Sequence, residues 1–144
     1  SMHPCRWSLL EAHRLDLTRE WRHHAAVARV AGANPELEDQ LARSTTVAQL
    51  LLLQCADGSR HYDGQQLCLV NCHLFSHPMA PHVRVIQAAV IADAIRERFG
   101  DVAVMWCGDF NAVPSTAVVQ FLHSKVVRFI VCVLLACFFA CLLD

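Results

Sequence analysis

The chain has 144 residues, which is enough for one domain with a sizeable hydrophobic core. Its 12 Lys and Arg residues nearly balance 13 Asp and Glu residues, giving a formal net charge of -1. This balance excludes a strongly basic surface, so a polyanionic substrate would have to be attracted by a local patch or a metal ion. Most of the 8 cysteines lie within apolar runs, a pattern typical of reduced thiols in an intracellular protein rather than of a disulfide framework.

The first third of the chain predicts helices. A weakly helical pattern extends from Leu9 to Val30, and Gly32 ends it. The segment that begins at Asn34-Pro35 and continues with acidic residues predicts a second helix, because Asn caps helices and Pro fits the first turn.

Two apolar runs of strand length follow, from Val47 to Cys55 and from Leu67 to Leu74. The polar loop between them predicts that they pair as antiparallel neighbours. Because side chains alternate along a strand, Asn71 and His73 share one face near the end of the second strand. This strand therefore presents two polar groups at the rim of a sheet.

Apolar residues at helical spacing from Val83 to Phe99 predict a helix packed on the sheet, with Gly100 as its C-cap. The next apolar run, Val102 to Cys107, predicts a strand covered on both faces. A last helix is expected to open at Pro114-Ser115-Thr116 and to bury Val118, Phe121 and Leu122.

The residues after this last strand suit phosphoryl chemistry. Asp109 can orient or deprotonate a water molecule, and Asn111 can donate a hydrogen bond to a phosphate oxygen. Gly108 is expected to let a substrate backbone approach closely. An ordinary turn would also use these residue types, and His73 alone could be a simple edge histidine. Polar groups at the ends of two strands favour a functional site over chance.

Three segments carry a family resemblance: Asn71-Cys72-His73-Leu74-Phe75-Ser76-His77-Pro78, His82-Val83-Arg84-Val85-Ile86-Gln87 and Cys107-Gly108-Asp109-Phe110-Asn111-Ala112-Val113-Pro114-Ser115-Thr116. With them the chain resembles the endonuclease/exonuclease/phosphatase superfamily. The likeness is greatest to its deadenylase-like branch and to the 2',5'-phosphodiesterase 12 group. It extends from about Trp7 to Leu122, and residues 123–144 form an apolar tail outside it.

The resemblance implies an α/β fold, namely part of a four-layer αββα sandwich. It also implies Mg²⁺-dependent hydrolysis of phosphodiester bonds by a 3'-5' exoribonuclease acting on poly(A) or 2',5'-oligoadenylate. By motif, Asp109 would activate the attacking water and contact the metal indirectly, and Asn111 would hold the scissile phosphate. His73 and Asn71 would support the phosphate and the charge of the transition state.

Two parts of the family pattern have no counterpart in this sequence. The metal-binding Glu is expected upstream and a closing Asp-His pair downstream, so the chain alone is expected to be an inactive fragment. Exposed sheet edges would allow self-association. The subgroup resemblance suggests a mitochondrial location, and a cytoplasmic one is the alternative. Arg84 is expected only to pair with a neighbouring acid.

The tail contains the apolar run Phe129 to Leu143. As a helix it would span about 22 Å, short of the roughly 30 Å of a bilayer core. Three origins are considered: a mispredicted or truncated gene, a membrane anchor, and a segment recruited into the core.

Two other functions are also considered. One keeps the superfamily and changes the substrate to inositol phosphates or sphingomyelin. The other is a non-catalytic interaction or membrane-associated module that keeps the fold without the reaction.

Overall fold

The computed structural model describes residues 6–56, 63–124 and 129–131. Its strands form one mixed sheet in the order β1-β2-β3-β4-β5. The strands are β1 (Trp7–Asp16), β2 (Val47–Cys55), β3 (Gln66–His73), β4 (Ala103–Asp109) and β5 (Phe129–Val131). The helices are α1 (Leu17–Glu20), α2 (Ala25–Gly32), α3 (Pro35–Arg43), α4 (Pro81–Phe99) and α5 (Ala117–Ser124).

Strand direction decides which chain ends meet at each edge of the sheet. β1 and β2 are antiparallel, and so are β2 and β3, which confirms the predicted pairing across the polar loop. Helix α4 then carries the chain across to β4, which lies parallel to β3, as does β5 to β4. The carboxyl ends of β3 and β4 therefore lie side by side.

The core lies between one face of the sheet and the helices. On this core face, alternate residues of the three middle strands are buried, as the period of a strand requires. They belong to one cluster with helical residues such as Leu41, Ile91 and Leu122. The strand residues are Ala48, Leu50, Leu52, Cys68, Val70, Cys72, Val104 and Trp106.

The opposite face of the sheet, called the open face below, is only partly covered. Leu51, Leu69 and Met105 on this face are half-buried in the part of the chain that the structure describes. The prediction that the strand after Val102 is covered on both faces is therefore wrong. The described helices contribute their buried residues to the cluster on the core face. The strand is also two residues longer than predicted at its end, because β4 continues past Cys107 to Asp109.

The helical prediction for the N-terminal region is only partly right. Residues Trp7–Asp16 form a strand instead, because they pair with β2 along its length. The expected helix is confirmed only over Ala25–Gly32, and it ends at Gly32 as predicted. The helical preference of the segment before Asp16 was weak, and backbone pairing with a neighbouring strand overrides such a preference.

The predicted helix ends are confirmed. The Asn34 side chain accepts a hydrogen bond from the backbone N–H of Leu37, and Pro35 occupies the first turn of α3. Helix α4 ends before Gly100, whose φ of 67° lies in the left-handed region. In α5, Val118 and Leu122 are buried and Phe121 packs against the core, as expected.

The apolar tail lies almost entirely outside the described residues. Phe129–Val131 form a strand beside β4 rather than the start of a helix. The three origins considered for the tail stay predictions. Within the described ranges, no helix combines the length and apolar character needed to cross a membrane.

Gly108 allows β3 and β4 to approach closely. Its φ is 114°, and a Cβ atom placed on it would lie 1.9 Å from the backbone oxygen of Cys72. The neighbouring strand therefore requires glycine here, because any side chain would collide with that carbonyl. The sequence had suggested room for a substrate backbone, whereas the structure shows that the space is taken by β3.

We expect Gly108→Ala to lower the free energy of unfolding by about 3 kcal/mol or more, from the strained φ and the backbone clash together. Urea denaturation would measure the loss. Gly32→Ala is the matched control, because a Cβ atom there meets no atom within 4 Å. That control should stabilise the protein by about 0.5 kcal/mol, and equal stability of the two variants would contradict the assignment.

Two core thiols make stability depend on pH. Burial raises the pKa of Cys68 to about 11 and that of Cys72 to about 12. Electrostatic repulsion from Cys107 also raises the pKa of Cys72. The pKa of a thiol in an unfolded chain is about 8.5, so the unfolded state loses these protons first as the pH rises. The free energy of unfolding should therefore fall from about pH 9 to about pH 12, where the folded thiols also lose their protons.

Denaturation at several pH values checks this expectation. A Cys68→Ala and Cys72→Ala double variant should show a shallower decline, because the thiol contribution is gone. An identical decline in both proteins would show that other groups cause it.

Candidate functional site

The polar residues that the sequence singled out lie at one edge of the sheet. In the parallel register of β3 and β4, Asn71 pairs with Cys107 and His73 pairs with Asp109. Paired residues of neighbouring strands project to the same side, so the histidine and the carboxylate both lie on the open face. Their meeting is a direct result of the register.

A cavity of about 320 Å³ lies at this edge of the sheet. Three of the four predicted site residues, Asn71, His73 and Asp109, line it together, whereas Asn111 does not. The other lining residues are Val47, Gln49, Cys72 and Gly108.

The two carboxylate oxygens of Asp109 have different surroundings. Oδ1 accepts a hydrogen bond of 2.8 Å from the backbone N–H of Asn111. Oδ2 lies 3.9 Å from Nε2 of His73, which is too far for a direct hydrogen bond. The His73 side chain is 71% exposed and that of Asp109 is 34% exposed. One carboxylate oxygen is thus fixed, while the other faces a histidine that is open to solvent.

Asn111 ties the end of β4 to the end of β3. Its Nδ2 donates a 2.7 Å hydrogen bond to the carbonyl oxygen of Leu74, whose own N–H donates to the carbonyl of Asp109 at 2.8 Å. The backbone of Asn111 has a φ of 46°, a conformation that Asn tolerates better than most residues. The structure gives Asn111 a bracing contact, and its role in holding phosphate stays a prediction.

Gln49 is a cavity residue that the sequence did not single out. It lies opposite Asn71 in the antiparallel register of β2 and β3, and its Oε1 accepts a 3.0 Å hydrogen bond from Nδ2 of Asn71. The available signal was a single polar residue near the start of an apolar strand. This bond fixes the orientation of the Asn71 amide at the wall of the cavity.

Arg84 does not pair with an acid, and that prediction is wrong. The residue is 6% exposed, and its Nη1 donates to the carbonyl oxygens of Phe75 at 3.1 Å and His77 at 3.0 Å. Within the described ranges, no carboxylate lies within ion-pair distance of its guanidinium. It holds the loop that follows β3.

The described residues do not form a complete metal site. Among them, no three His, Cys, Asp or Glu side chains lie close enough to hold an ion. Asp109 is the single carboxylate among the residues that line the cavity. Because Mg²⁺ prefers several oxygen ligands, the residues present do not fit this ion by themselves.

Curated proteins with related sequences are nucleases and phosphodiesterases by name. Over 105 residues the chain is 30% identical to mouse 2',5'-phosphodiesterase 12, a match that covers 70% of the chain and 17% of that protein. Over 99 residues it is 26% identical to the probable CCR4-Not complex 3'-5'-exoribonuclease subunit Ccr4 of Encephalitozoon cuniculi, covering 67% of the chain and 19% of that protein. The chain thus spans less than a fifth of each relative. No protein-family model matches it.

Solved structures share the fold. The human Nocturnin catalytic domain with bound sulfate matches with a TM-score of 0.58 and 20% identity, over 83% of this chain and 36% of that one. An endonuclease/exonuclease/phosphatase from Bacteroides vulgatus matches with a TM-score of 0.57 and 16% identity, over 83% and 39%. At these identities the likeness concerns the fold, and it agrees with the mixed sheet and the one helical layer formed by the described residues as part of an αββα sandwich. The chain is thus similar in sequence to 2',5'-phosphodiesterase 12 and shares its fold with members of the endonuclease/exonuclease/phosphatase superfamily.

Proposed function

We propose that the chain is the phosphate-handling part of a phosphodiester hydrolase, a Mg²⁺-dependent 3'-5' exoribonuclease that acts on poly(A) or 2',5'-oligoadenylate. The observation that carries this proposal is the placement of His73 and Asp109 across one cavity with Asn71 beside them. The names of the related proteins, a 2',5'-phosphodiesterase and a probable 3'-5'-exoribonuclease, support a choice of RNA-type substrates with phosphodiester bonds.

The two oxygens of Asp109 suit it to orient a water molecule. Because Oδ1 is held by the N–H of Asn111, the carboxylate has a fixed direction, and Oδ2 is left to accept a proton from water. A water that lies in the cavity beside Oδ2 and Nε2 of His73 could form a hydrogen bond to each of them. Asp109 is therefore the residue that we assign to water activation.

His73 and Asn71 suit the stabilisation of negative charge. The exposed His73 ring can donate an N–H hydrogen bond to a phosphate oxygen, and the position of Asn71 is fixed by Gln49. Fixed donors stabilise developing charge better than mobile ones, because they need no reorganisation during the reaction. These residues supply the local attraction for phosphate that the net charge of -1 does not.

Magnesium belongs to the proposal for a longer protein. When bound, such an ion acts as a Lewis acid on phosphate oxygens. The roles derived above for Asp109, His73 and Asn71 do not use it, because its ligand set would have to be completed by residues outside the described ranges.

A second candidate is a non-catalytic module that keeps the fold and binds phosphate without cleaving it. The incomplete set of metal ligands within the described residues favours it for this polypeptide. The two candidates differ in what a longer protein containing this sequence would do, which the following experiments measure.

We expect Asp109→Ala to reduce oligoadenylate cleavage by a longer protein with this sequence by about 100-fold or more, because the water loses its acceptor. Gel assays with 2',5'-linked and 3',5'-linked oligoadenylate would measure the rate. Asp101→Ala is the control. Asp101 is an exposed carboxylate just before the start of β4, far from Asp109 at its end, so this variant should cleave at an unchanged rate. Undiminished cleavage by Asp109→Ala would refute its assigned role.

Calorimetric titration of the 144-residue chain with MgCl₂ should show no saturation below about 1 mM, because one carboxylate offers too few oxygen ligands. Asp109→Asn should give the same trace. Tight binding that this variant abolishes would show that the chain holds the ion itself, and would count against the non-catalytic candidate.

A further inference from the structure

Four polar residues are buried in the described part of the chain, and they contact one another or the same loop. They are Ser44, Thr46, Arg84 and Gln87. Arg84 and Gln87 lie three residues apart on α4, so they project from the same side of that helix. Buried polar groups are costly unless they are bonded, so their partners show what they hold in place.

The amide of Gln87 joins three separate segments. Its Oε1 accepts a 2.9 Å hydrogen bond from the backbone N–H of Phe75, which lies just beyond β3. Its Nε2 donates to Oγ of Ser44 at 3.3 Å and to Oγ1 of Thr46 at 3.0 Å, just before β2. A side chain that is 2% exposed thus ties α4 to the entrance of β2 and to the exit of β3.

Arg84 completes the hold on the same loop. While Gln87 takes the N–H of Phe75, Nη1 of Arg84 donates to the carbonyl oxygens of Phe75 and His77. Both backbone polar groups of Phe75 are therefore bound by side chains of α4. The Nε of Arg84 has no partner among the described residues, so this buried cation is held at a cost.

Both ends of this buried network adjoin the cavity. Phe75 directly follows Leu74, whose carbonyl accepts from Asn111 and whose N–H donates to the carbonyl of Asp109. Thr46 directly precedes Val47, which lines the cavity. A displacement of the Phe75 peptide would therefore move Leu74, and with it the hydrogen bonds that join Leu74 to Asn111 and Asp109.

We propose that Gln87 and Arg84 are positioning residues, which fix the end of β3 and thereby hold His73 and Asp109 at their observed separation. They act from the core face through the Phe75 peptide and do not line the cavity. The effect on catalysis rests on the proposed function. The effect on structure concerns only the hydrogen bond from the Asn111 side chain to the Leu74 carbonyl.

The first test is structural and needs no activity. In the Gln87→Met variant of the 144-residue chain, a side chain of similar length fills the space but cannot bind Phe75. We expect the side-chain amide protons of Asn111 to exchange with solvent about 10-fold faster, measured by ¹⁵N-edited NMR. Gln54→Met is the control, because it removes a hydrogen bond to Gly64 near the opposite end of β2 and should leave Asn111 unchanged.

Thr46→Val provides a second variant in case Gln87→Met does not fold. It removes one partner of the Gln87 amide, retains the shape of the side chain and leaves the bond to Phe75 possible. We expect exchange at Asn111 to be about 3-fold faster. Unchanged exchange in every variant that folds would overturn the inference.

The second test uses a longer protein that cleaves oligoadenylate. Gln87→Met should lower kcat by about 10-fold to 100-fold with little change in KM, because a misplaced catalytic group slows the reaction without removing a substrate contact. An active parent protein whose kcat does not change in this variant would overturn the positioning role. A parent protein without any cleavage would instead refute the proposed function, and the NMR result would still decide the effect on structure.

Discussion

The close parallel contact between β3 and β4 is the constraint on which the rest of the site depends. It exists because Gly108 has no Cβ atom, so the carbonyl of Cys72 can occupy the space beside it. The resulting register places His73 opposite Asp109, and the bond from Leu74 to the Asp109 carbonyl closes the end of the pair. The backbone contacts between these strands therefore place His73 and Asp109 side by side, and the side chain of Asn111 adds a hydrogen bond at the same end of the pair.

The two faces of the sheet differ in what they contact. The core face buries apolar residues against the helices, and the open face presents Asn71 and His73 at its rim. The buried network around Gln87 connects the two, since it reaches from α4 to the peptide that follows β3. A change in the core can thus alter the site without touching it. This separation also explains how apolar strands can carry a polar site without loss of core packing.

Much of the architecture could be predicted because it depends on local patterns. Alternation along β3 placed Asn71 and His73 on the same face near the end of the strand, and the caps at Asn34 and Gly100 located helix ends. The segment before Asp16 was misjudged, because its strand forms by pairing with β2, whose partner residues lie 31 to 48 positions further along the chain. Weak local preferences do not contain that information.

The sequence by itself indicated the resemblance to the endonuclease/exonuclease/phosphatase superfamily, the period of the main strands and helices, and the polar residues at two strand ends. Only the tertiary structure decided that His73 meets Asp109, that Gln49 orients Asn71, and that Arg84 binds carbonyl oxygens rather than an acid. The physical reason is that each of these contacts depends on strand register or burial. Register and burial arise from backbone pairing and packing between distant segments, whereas periodicity and caps are properties of a few consecutive residues.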